Sequence, residues 1–332
     1  MVRSLWATVV ALGACATGSL GGGAGGGAYR VPVPLGLDLV AGVPEANPLT
    51  RPKVELGRKL FFDPELAIDR SRSCATCHRP DLYFTDGRER PVGLEGGEGR
   101  RNVPSVLNVA YGRTFFWDGR AEGLEAQVLE PIRGPDELGL GEAALIERLE
   151  TRRDYRDDFE DAFGDREITP DRVARALASY LRTLRSGDAP IDRFLHGDRG
   201  ALSAEAQRGF RLFTGRANCG VCHLAPLFTD HQFHNTGVSW GSTDLGRFAV
   251  TGEEADRGRF RTPSLRNVAE TAPYMHDGSL ATLEDVIEHY AGGGTAGPHL
   301  DEEIHPLDLT DQEKRQLVAF LKALTGGEPD TD

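Results

Sequence analysis

The sequence predicts a mostly α-helical protein of two similar domains, related by internal duplication and connected by long loops. Three observations lead to this prediction. The chain has 332 residues, enough for two domains that each bury a core. Short blocks of sequence recur in its two halves. Strand patterns are few and short, whereas 41 glycines and 19 prolines punctuate the segments between the predicted helices.

Composition and charge exclude several classes of protein. With 39% hydrophobic and 27% charged residues, the chain has an ordinary globular composition and is not expected to be disordered. It carries 38 Lys+Arg against 51 Asp+Glu, a net charge of −13, and no basic stripe, which argues against nucleic-acid binding. No apolar run reaches the roughly 18 residues that a membrane-spanning helix needs.

The N-terminus has the pattern of an export signal. In residues 1–14, Arg3 precedes a short apolar run, as in a secretory signal peptide. The run ends in Leu-Gly-Ala-Cys, which resembles a bacterial lipobox, so we expect Cys15 to be lipidated and residues 15–28 to form a Gly-rich tether. Ala16 is not the Asp associated with inner-membrane retention, which favours a periplasm-facing outer-membrane anchor. The alternative is a plain secretory signal.

The four remaining cysteines form two motifs of the type Cys-x-x-Cys-His, the attachment signature of c-type haem. Two thioethers reach the two vinyl positions of one macrocycle, and the adjacent histidine comes beneath the iron as proximal ligand. A zinc site, two disulfides or redox-active pairs are the alternatives, but none of them requires the histidine. The motif residues are Cys74, Cys77 and His78, and Cys219, Cys222 and His223.

The motifs predict two covalently bound haem c groups in two cytochrome c-like haem domains, over residues 29–195 and 196–332. Further repeats support the duplication: a Pro-Ser-x-x-Asn-Val-Ala block, an Asp-Gly pair fourteen residues after its proline, and a Phe-Thr-Asp block after each haem motif. These blocks begin at Pro104 and Pro263, at Asp118 and Asp277, and at Phe84 and Phe228.

Each half is predicted to end in a helix. The first runs from Thr169 to Leu184, with a proline at its first helical position. The second runs from Thr310 to Leu324, where Thr310 and Glu313 form a capping box. An apolar stripe along the second helix is expected to be core. The stripe consists of Leu317, Phe320, Leu321 and Leu324.

The supply of sixth ligands distinguishes the two irons. No histidine follows His78 within the first domain up to residue 195, and no methionine lies between the first residue and Met275. The first iron is therefore expected to be open or water-bound, and able to bind peroxide. The alternatives are a lysine, the N-terminal amine, or a histidine lent by the second half, such as His231 or His234.

Four motifs give the chain a specific resemblance. From about Glu55 to Thr325 it resembles the bacterial dihaem cytochrome c peroxidase family, which includes the MauG-type enzymes. The motifs are Arg101-Asn-Val-Pro-Ser, Phe116-Trp-Asp-Gly-Arg, Leu124-Glu-Ala-Gln and Pro135-Asp-Glu-Leu.

The resemblance implies that the first haem reacts with peroxide, with Glu137 and Gln127 on its distal side. A carboxylate there can move a proton from the inner to the outer peroxide oxygen. The resemblance also makes Trp117 a relay between the haems. Activation by reduction in this family uses a histidine in the loop that corresponds to residues 92–101. The loop has none here, which implies a site that is open without prior reduction, as in MauG-type members.

The ligand of the second iron has two candidates. Tyr290 occupies the family's sixth-ligand position, which is Met in typical peroxidases and Tyr in MauG-type proteins; Met275 is the alternative. Phenolate favours ferric iron and lowers the potential, whereas a His/Met iron has a raised potential. The family's calcium position falls on the Asn102 side chain and the carbonyls of Thr271 and Pro273.

These expectations describe an exported dihaem peroxidase that reduces hydrogen peroxide to water. Its electrons would come from a small periplasmic cytochrome c or a cupredoxin, and a homodimer is possible as in other family members. The first alternative is MauG-like, peroxide-driven oxidation of a partner protein or a small substrate. The second is a non-enzymatic electron-transfer cytochrome.

Overall fold

The computed structural model describes residues 29–37, 40–238 and 243–327, which are mostly α-helical. The predicted signal peptide, Cys15 and the tether lie outside them. No helix in these ranges is long and apolar enough to cross a membrane. The helices α1 to α11 are Arg51–Phe62, Cys74–Cys77, Leu124–Arg133, Glu142–Thr151, Arg153–Phe163, Pro170–Leu181, Pro190–Leu195, Ala204–Phe213, Phe248–Thr251, Leu283–Ala291 and Asp311–Lys322. The strands β1 to β4 are Thr114–Phe115, Ala121–Glu122, Phe233–His234 and Phe260–Arg261, paired antiparallel as β1–β2 and β3–β4.

Two close helix crossings organise the fold, α1 against α6 and α8 against α11. Each depends on a glycine at the contact. A Cβ atom on Gly57 would stand 1.9 Å from the carbonyl oxygen of Ala176. A Cβ atom on Gly209 would stand 1.8 Å from the carbonyl oxygen of Gln316. Only glycine lets the two backbones approach this closely.

Substitution of Gly209 by alanine is therefore expected to destabilise the protein. The added methyl group would push α8 from α11, and overpacking of this kind costs about 1–3 kcal/mol of the free energy of unfolding. Thermal melts of the two proteins measure the difference. Gly327→Ala is the control, because a Cβ atom there meets nothing within 4 Å. Equal melting temperatures for both variants would contradict the close crossing.

Both predicted terminal helices form, but each is shorter than predicted: α6 ends three residues before Leu184, and α11 ends two residues before Leu324. The Thr169 side chain accepts a hydrogen bond from the Arg172 N–H at the start of α6, which ends at Leu181 rather than at the predicted Leu184. The last residues form a tighter turn instead, in which the N–H of Leu184 donates to the carbonyl of Leu181. At α11, Thr310 and Glu313 form the predicted capping box. The predicted apolar stripe is buried at Leu317, Phe320, Leu321 and Leu324.

The buried apolar side chains form two large clusters, one in each half, and a smaller one between them. The smaller cluster joins Leu37, Ala110 and Tyr111 to Leu227 of the second half. Phenylalanines are prominent in both large clusters. They include Phe61, Phe84 and Phe159 in the first, and Phe213, Phe228 and Phe320 in the second.

Ser186 connects the two halves through the asparagines of the repeated blocks. Asn108 and Asn267 both have left-handed backbones, with φ of 61° and 60°. The Asn108 amide donates to the Ser186 carbonyl at 2.9 Å, and the Asn267 amide donates to the Ser186 hydroxyl at 2.9 Å. Their backbone N–H groups donate to the carbonyls of Leu184 and Leu324, which follow α6 and α11. The two asparagines therefore make matching contacts.

Candidate haem sites

The first site lies where α2 ends at His78. The Cys74 and Cys77 thiols are free, and burial raises their pKa values to about 12 and about 11. The His78 Nδ1 lies 3.1 Å from the carbonyl oxygen of Phe84, which can only accept, so Nδ1 carries the hydrogen. Burial lowers the pKa of His78, which keeps the ring neutral. Its Nε2 therefore has a lone pair for a metal. The Phe84 carbonyl orients the ring through Nδ1, as is usual for ligating histidines.

The second site repeats this arrangement. His223 donates from Nδ1 to the carbonyl of Phe228 at 2.8 Å, and burial lowers the pKa of His223. Phe84 and Phe228 both have positive φ, 61° and 55°, which turns each carbonyl toward its histidine. Burial raises the pKa of Cys219 to about 12. Both sites thus offer two free thiols and one neutral imidazole, the donor set that a haem c needs.

Two of the alternatives to haem, a pair of disulfides and a zinc site shared by the two motifs, are not formed in the described residues. All four cysteines are free, so neither motif forms a disulfide. In the described ranges, the one group of side chains with metal-site spacing is Cys222, Asp230 and His234, which does not combine the two motifs. His234 has both ring nitrogens engaged, by Asp230 at 3.0 Å and Asp301 at 2.7 Å. It therefore has no nitrogen left for the first iron.

Glu137 lies in the turn that follows α3. Its backbone N–H donates to the Gly134 carbonyl at 3.0 Å. Glu137 is exposed, yet the protein atoms around its carboxyl group remove enough water to raise the pKa of Glu137, with Arg120 opposing the shift. Its charge also helps to raise the pKa values of Cys74 and Cys77, so the carboxylate is within electrostatic reach of the first haem motif.

The loop over residues 92–101 folds onto the Glu137 turn. The Leu94 N–H donates to the Asp136 carbonyl at 3.0 Å, next to Glu137. Val92 and Glu98 pair across the loop. The segment without a histidine is therefore the one that lies against the turn carrying the expected acid–base group. Gln127 lies on α3 and is half-buried, and its side chain has no hydrogen bond to the described residues.

Trp117 meets His276 between the two halves. Their ring centroids are 6.4 Å apart with an interplanar angle of 70°, an edge-to-face contact. The other face of the histidine stacks on Phe260 at 3.5 Å. The Trp117 indole N–H donates to the carbonyl of Asn102 at 2.9 Å. Trp117 precedes the first Asp-Gly pair and His276 precedes the second, so the two residues that meet occupy equivalent positions in the repeats.

A reciprocal pair of backbone hydrogen bonds holds this contact. The Asn102 N–H donates to the His276 carbonyl, and the Arg261 N–H donates to the Trp117 carbonyl, both at 2.8 Å. Asn102 and Arg261 each stand two residues before a repeated proline. Each half therefore positions the other's aromatic residue through the same contact.

Tyr290 and Met275 both line the cavity that contains Cys219, Cys222 and His223. Tyr290 comes from α10, and burial raises its pKa to about 12, with a further contribution from the two thiols. Met275 lies in the interdomain turn and has a φ of 73°. Both ligand candidates are thus brought to the second site.

The expected calcium residues Asn102, Thr271 and Pro273 also line this cavity. The Asn102 amide nitrogen donates to the Arg88 carbonyl at 2.9 Å, so its amide oxygen points the other way. An amide oxygen and two carbonyls suit a hard cation such as calcium.

A fold of this kind with two neutral histidines behind paired thiols defines a haem-dependent oxidoreductase, and sequence comparison identifies its family. Residues 51–200 match the family described as di-haem cytochrome c peroxidase. The chain is 49% identical to the methylamine utilization protein MauG of Methylorubrum extorquens, over 85% of this chain and 80% of that protein. It is 37% identical to the cytochrome c551 peroxidase of Nitrosomonas europaea, over 83% and 80%.

A solved structure agrees. The crystal structure of a MauG-like protein associated with microbial copper homeostasis superimposes with a TM-score of 0.79 at 36% identity, covering 90% of this chain and 94% of that one. The chain belongs to the dihaem cytochrome c peroxidase family, which includes MauG, and it is an oxidoreductase of that type. The resemblance and the enzyme class expected from the sequence are confirmed.

Sequence reasoning missed Arg261, Phe260 and Ser186. The repeat offered a signal for Arg261, which stands where the first half has Asn102. Ser186 follows Leu184 by two residues, as Gly326 follows Leu324, but only the fold places Ser186 between the two asparagines.

Proposed function

We propose that the chain reduces hydrogen peroxide to water at the first site, using electrons from a small periplasmic cytochrome c or cupredoxin. The observation that supports this most directly is that a neutral His78 adjoins Cys77, while Glu137, whose pKa is raised, acts electrostatically on Cys74 and Cys77. Overall, one H₂O₂ takes up two electrons and two protons and yields two molecules of water.

A haem held by Cys74, Cys77 and His78 would supply the open iron and the electron-transfer chemistry. The protein's own contribution is proton handling. As a carboxylate, Glu137 accepts a proton from the inner oxygen of peroxide and returns it to the outer oxygen, which leaves as water. Its raised pKa makes this exchange easier, because the proton donor and the acceptor are better matched near neutral pH. Gln127 would orient the peroxide from α3.

Trp117 is proposed to carry oxidising equivalents between the sites. It lies at the contact between the halves and lines the second cavity. Its N–H donates to a backbone carbonyl, a group too weakly basic to take the proton, so the oxidised indole would keep its hydrogen.

At the second site we propose a haem on Cys219, Cys222 and His223, with Tyr290 as sixth ligand and Met275 as the alternative. Tyr290 is supported by its position on a regular helix within electrostatic reach of both thiols. We also propose the calcium ion at Asn102, Thr271 and Pro273, between the two sites.

The two haem domains, residues 29–195 and 196–332, are proposed to descend from an internal duplication. The matching helix crossings, asparagine contacts and histidine hydrogen bonds support it. We further propose export to the periplasm, with residues 1–14 as signal peptide and Cys15 as an outer-membrane lipid anchor; both lie outside the described residues.

MauG-like oxidation of a partner protein or small substrate is the second candidate. The 49% identity to a MauG protein, the loop without a histidine and Tyr290 at the second site favour it. Both candidates need the same open first site and differ in what supplies the electrons.

Low-temperature EPR of the ferric protein as isolated tests the open site. We expect one high-spin and one low-spin haem, because the first half supplies His78 and no second histidine or methionine. The variant His231→Ala should leave the high-spin signal unchanged. Two low-spin haems in the wild type would contradict an open first iron and would point to a peroxidase activated by reduction.

A further inference from the structure

Arg261 is a half-buried cation in the wall of the second haem cavity. It lies on β4 and lines the same cavity as His223. Its guanidinium reaches the carbonyls of Phe116 at 3.4 Å and Thr262 at 3.5 Å, which are long, weak hydrogen bonds. Burial lowers the pKa of Arg261 to about 10, the shift expected of a cation held without a compensating anion.

Two arginines that are more deeply buried than Arg261 have carboxylate partners. Arg266 pairs with Asp192 at 2.8 Å, and Arg182 pairs with Glu125 at 2.7 Å. Residues 29–37, 40–238 and 243–327 place no carboxylate within ion-pair distance of Arg261. A charge withdrawn from water is costly unless it is paired, so the environment of Arg261 fits an anion that the described residues do not provide.

His231 lies in the same wall and points to the same conclusion. Its Nδ1 is buried without a hydrogen-bond partner among the described residues. Its ring is close enough to Arg261 for the guanidinium charge to help lower the pKa of His231, with burial as the main cause. Buried polar atoms are normally satisfied. This nitrogen and the Arg261 guanidinium line the same cavity, where a single bound carboxylate could contact both.

We propose that Arg261, with His231 beside it, binds a propionate carboxylate of the haem attached through Cys219 and Cys222. This inference rests on the proposed placement of the second haem. The carboxylate would be the counter-ion that Arg261 lacks, and the contact would hold this edge of the macrocycle in place. Because the Arg261 N–H also donates to the Trp117 carbonyl, it would link that edge to the residue between the two sites.

Arg261 would then raise the reduction potential of the second haem. A positive charge beside the propionate disfavours the more positive ferric state, so its removal favours ferric haem. In Arg261→Gln, we expect the ratio of reduced to oxidised second haem at a fixed potential to fall about tenfold, which is about 59 mV for a one-electron couple. Spectroelectrochemical titration of the holoprotein at pH 7 measures this ratio. Arg261→Lys keeps the charge and should retain most of the wild-type ratio.

Arg113→Gln is the matched control. Arg113 also acts electrostatically on His231, but it is exposed, so solvent screens its charge and its loss should shift the ratio little. A shift in Arg113→Gln as large as that in Arg261→Gln would overturn the contact. Equal shifts in Arg261→Lys and Arg261→Gln would overturn it as well.

A haemochrome assay counts the haems first. A wild type with one haem overturns the proposed second site together with this inference. Two haems with an unchanged Arg261→Gln ratio overturn this inference alone.

Discussion

Replacing Glu137 by glutamine is expected to lower the rate of peroxide reduction by about 10²–10⁴-fold, the usual contribution of a positioned acid–base group. Glutamine keeps the size of the side chain and the Gly134–Glu137 turn but cannot accept and return a proton. Glutamine carries no charge, so the surroundings that raise the pKa of Glu137 do not disfavour it, and the protein should fold and bind haem normally. Stopped-flow mixing of the ferric protein with peroxide measures the rate directly.

Asp136→Asn is the matched control for this variant. It removes the same charge one residue earlier, from an exposed carboxylate in the same turn. We expect a change of less than about threefold, since a screened surface charge affects the site weakly. Equal losses in the two variants would mean that net charge, rather than proton transfer by Glu137, controls the reaction. An unchanged rate in Glu137→Gln would remove the carboxylate from the mechanism.

The same hypothesis predicts an acid limb in the pH–rate profile. The proton-accepting form is the carboxylate, so activity should fall as the pH drops through the pKa of Glu137. Because burial raises this pKa above its ordinary value of 4.5, the fall should begin at a higher pH than for an exposed glutamate. In Glu137→Gln, the residual activity should not show this limb.

Much of the fold could be predicted because local rules specify it. Thr310 and Glu313 satisfy the backbone at the start of α11, and a stripe with helical spacing is buried whatever the partner helix is. The end of α6 could not be predicted. It ends at Leu181 because the chain then turns toward Asn108, whose backbone N–H donates to the Leu184 carbonyl. The two residues of this contact are 76 positions apart in the sequence.

In the candidate sites, too, some residues could be predicted from local sequence and others depend on the fold. The Cys-x-x-Cys-His pattern requires its members to be neighbours, so sequence alone was enough to predict both sets. His231 and His234 were equal candidates in the sequence, because residue type does not reveal which ring nitrogens are engaged. In the fold, Asp230 and Asp301 take both nitrogens of His234, whereas His231 has an unsatisfied Nδ1. The lack of a carboxylate beside Arg261 among the described residues likewise depends on the fold, so the sequence could not predict it.

Replacing Tyr290 by methionine is expected to raise the reduction potential of the second haem, by on the order of 0.1 V or more within the roughly 0.8 V range that axial ligands cover. A phenolate stabilises ferric iron through its negative charge, and a neutral thioether does not. The second haem would then accept electrons more readily at rest. Potentiometric titration followed by visible spectroscopy measures the shift, and low-temperature EPR reports whether the haem remains low-spin.

Met275→Leu distinguishes the two ligand candidates, because it keeps the apolar volume and removes the thioether. If Tyr290 binds the iron, Met275→Leu should leave both the potential and the low-spin signal unchanged, whereas Tyr290→Phe should convert the second haem to high-spin. If the leucine variant loses the low-spin signal and the phenylalanine variant keeps it, Met275 is the ligand. The second haem would then be a high-potential electron acceptor, and turnover with a small redox protein would be favoured over the oxidation of a MauG-like substrate.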